Sequence, residues 1–210
     1  MIVENDKKTW ITLAKYAQVE SDINHRFNQL LNASQTISIH ANLALEWVSG
    51  RLPIALSDDQ KCAFLGCLGH SVSIIYGAPG TGKTSLLKSI VMAISKKTSS
   101  LLCMAPTGKA AKRLMSQIGW RASTIHSQCE FDESTGNLIG VPQQCDCCII
   151  DEMSMVDMNL FLIILKMIPI GCRLILVGDP NQLPSIGPGQ VFRDLIDRSA
   201  CPKFELTTNH

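Results

Sequence analysis

One eight-residue stretch, Gly77-Ala-Pro-Gly-Thr-Gly-Lys-Thr84, limits what this chain can fold into more than any other. An apolar run, Val72-Ser-Ile-Ile-Tyr76, precedes it, and a helical pattern from Lys83 to Ser95 follows. A strand, a glycine loop and a helix in that order suit a phosphate cradle, because loop N–H groups and the positive helix end both attract phosphate oxygens. Gly80 and Gly82 allow backbone conformations that a Cβ would forbid. Lys83 would reach the β- and γ-phosphates of a nucleotide, and the Thr84 hydroxyl would ligate Mg²⁺. The candidate nucleotide-binding residues are therefore Gly77, Ala78, Pro79, Gly80, Thr81, Gly82, Lys83, Thr84 and Ser85. The alternative, a glycine-rich turn that merely precedes a lysine, does not account for the strand and helix on either side.

The rest of the chain alternates in the same way. Strand-like runs cover 72–76, 101–105, 147–150 and 173–177, and helical stretches cover about 83–95, 108–118, 155–167 and 190–198. This predicts an α/β fold, a mainly parallel sheet with helices on both faces. Residues 51–210 form this unit, and residues 1–50 read as a helical preface. In the preface Tyr16, Val19, Ile23, Phe27, Leu30 and Leu31 recur at helical spacing, and a second short helix is expected around Leu43 to Val48. Ser57-Asp-Asp-Gln60 has the form of a capping box and predicts a helix from about Asp58 to Leu68.

Composition narrows the function classes. The formal net charge is +1, so any nucleic-acid contact must use a local groove and not a dominating basic field. The 9 cysteines are scattered, several inside apolar runs, and their odd number suggests a reducing, cytoplasmic setting. Cys145 and Cys148 form a C-x-x-C pair without a second pair or a histidine at zinc-ribbon spacing, so no structural zinc is expected. The most apolar stretch, Leu160 to Ile170, is too short to span a bilayer and contains Lys166 and Pro169, so no membrane association is expected.

In a parallel sheet, ligands sit beyond the carboxyl ends of the strands. Each strand-like run here leads directly into polar residues: the glycine loop, Pro106-Thr-Gly-Lys109, Asp151-Glu152 and Gly178-Asp-Pro-Asn-Gln182. Asp151 could hold Mg²⁺ and Glu152 could orient or deprotonate an attacking water. The alternative for this pair is capping of the next helix. Gln182 could bond a γ-phosphate oxygen or the lytic water, or be an ordinary turn glutamine. Gln60 could read adenine's donor–acceptor edge, although the capping box explains it without a ligand.

Several strings together resemble superfamily 1B DNA helicases of the RecD and TraA type. They are Leu56-Ser-Asp-Asp-Gln60, the glycine loop, Ala105-Pro-Thr-Gly-Lys-Ala-Ala111, Ser123-Thr-Ile-His126, Asp151-Glu-Met-Ser-Met-Val-Asp157 and Val177-Gly-Asp-Pro-Asn-Gln-Leu-Pro-Ser-Ile-Gly-Pro-Gly189. The resemblance covers about residues 43 to 210 in order. It implies a P-loop NTPase with a first RecA-like domain, using ATP and Mg²⁺ to move 5′ to 3′ on DNA in recombination, repair or transfer. Residue by residue, it implies that Gln60 contacts adenine and that Gly80, Gly82, Lys83 and Thr84 hold phosphates and metal. Asp151 would ligate Mg²⁺, Glu152 would activate water, and Gln182 would couple γ-phosphate state to DNA grip. Thr107, Lys109 and His126 would face single-stranded DNA; His126 could equally be a satisfied core histidine.

Phe131 to Ile139 reads as a hairpin, either a pin against the duplex fork or a surface connector. In the family, the segment corresponding to Leu206–His210 continues into an arginine that touches the γ-phosphate and then into a second RecA-like domain. The chain is therefore expected to be the first half of a motor, acting at a single strand or fork, possible within a recombination or transfer complex. A stand-alone ATP-binding module without helicase activity is the alternative.

Overall fold

The computed structural model describes residues 13–129 and 144–208 in full, and the backbone of segments 2–5, 8–11, 131–132 and 137–138. In chain order the elements begin with β1 (Ile2–Asn5), β2 (Lys8–Ile11), α1 (Ala14–Leu31), α2 (Ala41–Ser49) and α3 (Asp58–Gly69). They continue with β3 (Val72–Gly77), α4 (Lys83–Ile94), β4 (Leu101–Ala105), α5 (Gly108–Ile118), β5 (Ser123–Thr124) and α6 (Ile125–Gln128). After β6 (Phe131–Asp132) and β7 (Asn137–Leu138) come β8 (Cys147–Ile150), a 3₁₀ turn (Met153–Met155), α7 (Met158–Met167), β9 (Arg173–Gly178), α8 (Val191–Arg198) and β10 (Lys203–Leu206).

Six strands form one sheet in the order β10-β3-β9-β8-β4-β5, and every pairing in it is parallel. The central strands β8 and β9 are buried along their whole length, because helices cover both faces. The two-residue period of a strand sorts their side chains. Ile74, Cys148, Ile150, Leu174 and Leu176 join one core with α1, α7 and α8. Ile75, Cys147, Ile149, Ile175 and Val177 join the other, with α2, α3, α4 and α5.

The preface helices straddle this sheet. On one face α1 packs on α7, where the Phe27 and Phe161 rings meet at 6.1 Å. Arg26 closes the C-terminal end of α7 by donating to Leu165 O at 2.9 Å and to Ile168 O at 2.8 Å, which satisfies carbonyls that a helix end leaves open. On the other face α2 packs against α3 and α4, with Val48 fully buried. The connection between them crosses the N-terminal edge of the sheet, where Thr36 N donates to Gly171 O and Ser71 Oγ donates to Ala33 O.

Sequence and structure differ at a few places. The stretch expected to be helical from 155 is split, because the main chain turns through Met153–Met155 before Asp157 caps α7. Strands β5 and β10 are not expected from the sequence: β5 has only two residues, and β10 is a single four-residue alternation, Lys-Phe-Glu-Leu, with polar residues after it. At the start of the chain β1 and β2 pair antiparallel ahead of the helices, built from strand-favouring Ile2, Val3, Thr9, Trp10 and Ile11. The hairpin over 131–139 is present as β6 paired antiparallel with β7; its turn lies outside the described residues. Among the described residues no helix is long and apolar enough to cross a membrane.

Phe161 is fully buried at the seam between the preface and the sheet. Phe161→Ala should lower unfolding stability by about 3–5 kcal/mol, read as an earlier midpoint in chemical denaturation.

Candidate active site

Parallel pairing places the ends of β3, β9, β8 and β4 along one edge. The register sets Tyr76 beside Gly178, Ile150 beside Leu176, and Met104 beside Ile150. The residues that follow are Ala78–Gly82 after β3, Asp179 after β9, Asp151 after β8 and Thr107 shortly after β4, so they share that edge.

The glycine loop is shaped by two left-handed residues, Gly80 at φ 87° and Gly82 at φ 77°, where a side chain would be strained. Thr81 is buried and its hydroxyl donates to Ala78 O at 2.8 Å, which tightens the loop from inside. Helix α4 then starts at Lys83, placing Thr84 and Ser85 in its first turn, with Leu86 N donating to Gly82 O. Lys83 Nζ folds over the loop and donates to Gly77 O at 2.6 Å and Ala78 O at 2.8 Å. Partial burial lowers the Lys83 pKa; the nearby Asp179, Asp151 and Glu152 charges oppose this, and Arg113 adds to it.

Glu152 is the only non-glycine among the described residues with positive φ, at 56°. An L-residue in that conformation costs roughly 1–2 kcal/mol. Its N–H donates to Asp151 Oδ1 at 2.9 Å. Burial pushes the Asp151 carboxyl up to about 6, helped by the Glu152 charge; the Glu152 N–H, Arg113 and Lys83 work against the rise. Capping does not explain this acid pair. Asp157 does that work for α7, its Oδ1 accepting from Leu160 N at 2.8 Å.

The other candidates are placed as follows. Gln60 is buried; its Oε1 accepts from Ser57 N at 3.0 Å and its Nε2 donates to Gly82 O at 3.3 Å. The capping half of the expectation is thus seen, and the same amide braces the glycine loop. Gln182 is exposed, donates its N–H to Asp179 O, and borders a small cleft with Ser154 and Arg193. Thr107 caps α5 by accepting from Ala110 N at 3.2 Å, and exposed Lys109 stands in that helix's first turn. His126 is exposed on α6, which sets aside the core-histidine alternative.

A sequence profile of the AAA-domain family matches residues 55–210, which span the whole sheet and this edge. The chain belongs to the AAA-domain family. Within it, the chain is 36% identical over 154 residues to an ATP-dependent RecD2 DNA helicase of Deinococcus radiodurans, covering 72% of this chain and 21% of that protein. It is 30% identical over 211 residues to the RecBCD enzyme subunit RecD of Buchnera aphidicola, covering 90% of this chain and 35% of that protein. The chain therefore spans about a fifth to a third of the length of these curated relatives. Its fold is shared with the Pif1 helicase from Candida albicans, at a TM-score of 0.55 and 23% identity over 75% of this chain and 41% of that one.

Within this AAA-family edge, two residues escaped the sequence reading. Asp179 is buried, accepts from Asn181 N at 2.9 Å, and is the leading negative charge acting on Lys83. Its place directly after β9 was the available signal. Arg113 lies on α5 close enough for its charge to act on both Lys83 and Asp151. No local spacing marks it, because only the sheet order brings α5 beside β8.

The residues fit a Mg²⁺ ion. Thr84 and Asp151 offer hard oxygen donors, and an ion that takes one or two protein oxygens plus phosphates and water needs no larger protein cage. Among the described residues no cluster of three or more His, Cys, Asp or Glu side chains is placed to hold a metal. Cys145 of the C-x-x-C pair instead faces Cys172, sulfur to sulfur at 3.3 Å.

Asp151 carries a testable cost. Its folded pKa of about 6 stands above the ordinary 3.8. Between those values the folded chain keeps a proton that the unfolded chain has lost, so this group's contribution makes stability fall as pH rises through the window. In metal-free and nucleotide-free buffer, Asp151→Asn should therefore melt above wild type at pH 7. The gap should be on the order of 3 kcal/mol, closing as pH falls from about 6 to about 4.

Proposed function

We propose that this chain is the nucleotide-binding motor domain of an ATP-dependent DNA helicase that moves 5′ to 3′ in recombination, repair or DNA transfer. The observation that carries the reading is the convergence of the glycine loop with Lys83 and the Asp151–Glu152 pair on one edge of the sheet. The kinship with RecD-type helicases supports the assignment to DNA. One of these relatives is a subunit of a RecBCD enzyme, which supports a place in a recombination complex.

In this reading ATP phosphates occupy the loop, and Lys83 exchanges Gly77 O and Ala78 O for β- and γ-phosphate oxygens. Thr84 and Asp151 would hold Mg²⁺, which supplies charge neutralisation between phosphate oxygens. Glu152, in its left-handed position beyond Asp151, orients a water on the γ-phosphate and accepts its proton. The Asp179 charge favours the protonated form of Lys83 and so opposes the effect of burial. Gln182 reports γ-phosphate state from the loop after β9. Gln60 gives up one of its present bonds to read adenine. Thr107 and Lys109, at the start of α5, and exposed His126 form the single-strand contacts, the first two by donating to phosphate.

Lys83→Ala should weaken Mg·ATP binding by at least about tenfold in calorimetry, the loss of a charge-assisted contact. Equal binding by both forms would remove the phosphate-loop reading. In a protein carrying this domain, Glu152→Gln should hold ATP affinity within about threefold yet lower DNA-stimulated turnover by about 100-fold or more, because an amide cannot take the water's proton. Retained turnover would reassign the acid pair.

A further inference from the structure

The edge strand β10 leaves the sheet beside the glycine loop; it touches the start of that loop directly and is linked to its end through Asp59 and Gln60. At the first end, Leu206 is the register partner of Gly77. The approach is close enough that a Cβ on Gly77 would stand 2.5 Å from Leu206 O and 2.9 Å from Thr81 Oγ1. No residue larger than glycine fits there while β10 holds its place.

At the other end the contact runs through Asp59. Its Oδ2 accepts from Thr207 N at 2.9 Å and from Thr208 N at 3.2 Å, the two residues that follow β10. Its Oδ1 accepts from Gln60 N at 2.9 Å and from the Ser57 hydroxyl. Gln60 in turn donates to Gly82 O at 3.3 Å, the last residue of the loop before α4. One carboxylate thus joins the exit of β10 to the start of α3, and the next side chain joins α3 to the loop. Burial raises the Asp59 pKa, but the hydrogen bonds from Ser57, Thr207, Thr208 and Gln60 outweigh it and hold the carboxyl well below the usual range. The group is ionised at neutral pH and its bonds are charge-assisted.

Leu206 belongs to the core, but the Asp59 contact lies outside it. Thr207 and Thr208 are exposed, and the Asp59 bonds to them lie at the surface. Apart from Asp59, helix α3 still has Asp58 in its first turn and the Ser57 N–H to Gln60 bond. An arrangement that spends a carboxylate on two exposed N–H groups, with its neighbour on the nucleotide loop, is suited to carry position from one to the other.

We propose that Asp59 is a positioning residue that couples the segment Leu206–Thr208 to the nucleotide loop through Gln60, so that nucleotide in the loop and the placement of Thr207–Thr208 change together. The proposal rests on the nucleotide-binding reading above. Coupling of this kind is reciprocal: whatever displaces Thr207–Thr208 changes nucleotide affinity by the same factor by which nucleotide changes the hold on that segment.

The test is amide hydrogen exchange at Thr207 and Thr208, with and without Mg·ADP, alongside calorimetry. In the wild-type chain, Mg·ADP should change exchange at both amides by about fivefold, the scale of one modest hydrogen bond. Asp59→Asn should remove most of that response while still binding Mg·ADP. At Mg·ADP concentrations that calorimetry shows to saturate the variant, Gln60→Ala should preserve the nucleotide-free protection of Thr207 and Thr208 yet abolish its response to Mg·ADP. Asp59→Glu, which keeps the charge, should restore part of the response. A purely structural Asp59 would lower the melting temperature and leave the response to nucleotide intact, which would overturn the proposal. So would an unchanged response in Gln60→Ala. If wild type does not bind Mg·ADP at all, the underlying nucleotide reading fails instead, a result visible in calorimetry before any variant is made.

Discussion

The parallel register of β3, β9 and β8 is the constraint on which the rest depends. Three strands running the same way must all end on the same edge, so a glycine loop, a buried aspartate and an acid pair separated by many residues come together there. Parallel strands also need long crossovers, and the helices that make them cover both faces. That double cover is what allows Ile149 and Ile150, or Leu174 and Ile175, to be neighbours in sequence and yet serve different cores. The apolar character of β8 and β9 follows from their position between β3 and β4. In turn, the firmness of that centre lets polar and strained groups be held at its edge.

Those groups are not placed for stability. Glu152 is held in a conformation that L-residues avoid, Asp151 is withdrawn from water beside a like charge, and Lys83 is partly buried. Each would be more comfortable elsewhere. Their strain and desolvation are offset by a core with Phe161, Ile164 and Leu176 fully buried. On the proposed function the same features would help, because a pre-set Glu152 would need no reorganisation when substrate arrives and a crowded Asp151 would favour a cation.

The preface and β10 give the sheet its connections to what lies around it. Arg26 and Phe27 fasten α1 to α7 on one face, while α2 lies against α3 and α4 on the other. Helix α3 carries Gln60 to the glycine loop, and Asp59 beside it holds the chain that leaves β10. The nucleotide loop is therefore braced from α3 and from the edge strand, as well as from its own helix.

Much of this was legible in the sequence. The alternation of apolar runs with helical stretches specified the central strands and the layered α/β arrangement, because period and glycine placement are local properties of the chain. The phosphate loop, Asp151 and Glu152 were visible for the same reason: each follows directly from an apolar strand. The helix boundary near 155 was misread because Asp157, not the acid pair, caps α7, and a left-handed Glu152 leaves no mark in residue order. Asp179, Arg113 and Asp59 acquired their roles only in the folded chain. The charge of Asp179 acts on Lys83 across a strand pairing, that of Arg113 acts on Asp151 because β4 lies beside β8, and Asp59 bonds Thr207 over 148 positions of sequence. By itself the sequence determined the central strands, the main helices and the glycine loop, since backbone sterics and hydrophobic period act over a few residues. Strand order decided which distant charges and N–H groups face each other, because that depends on the packing of the whole sheet.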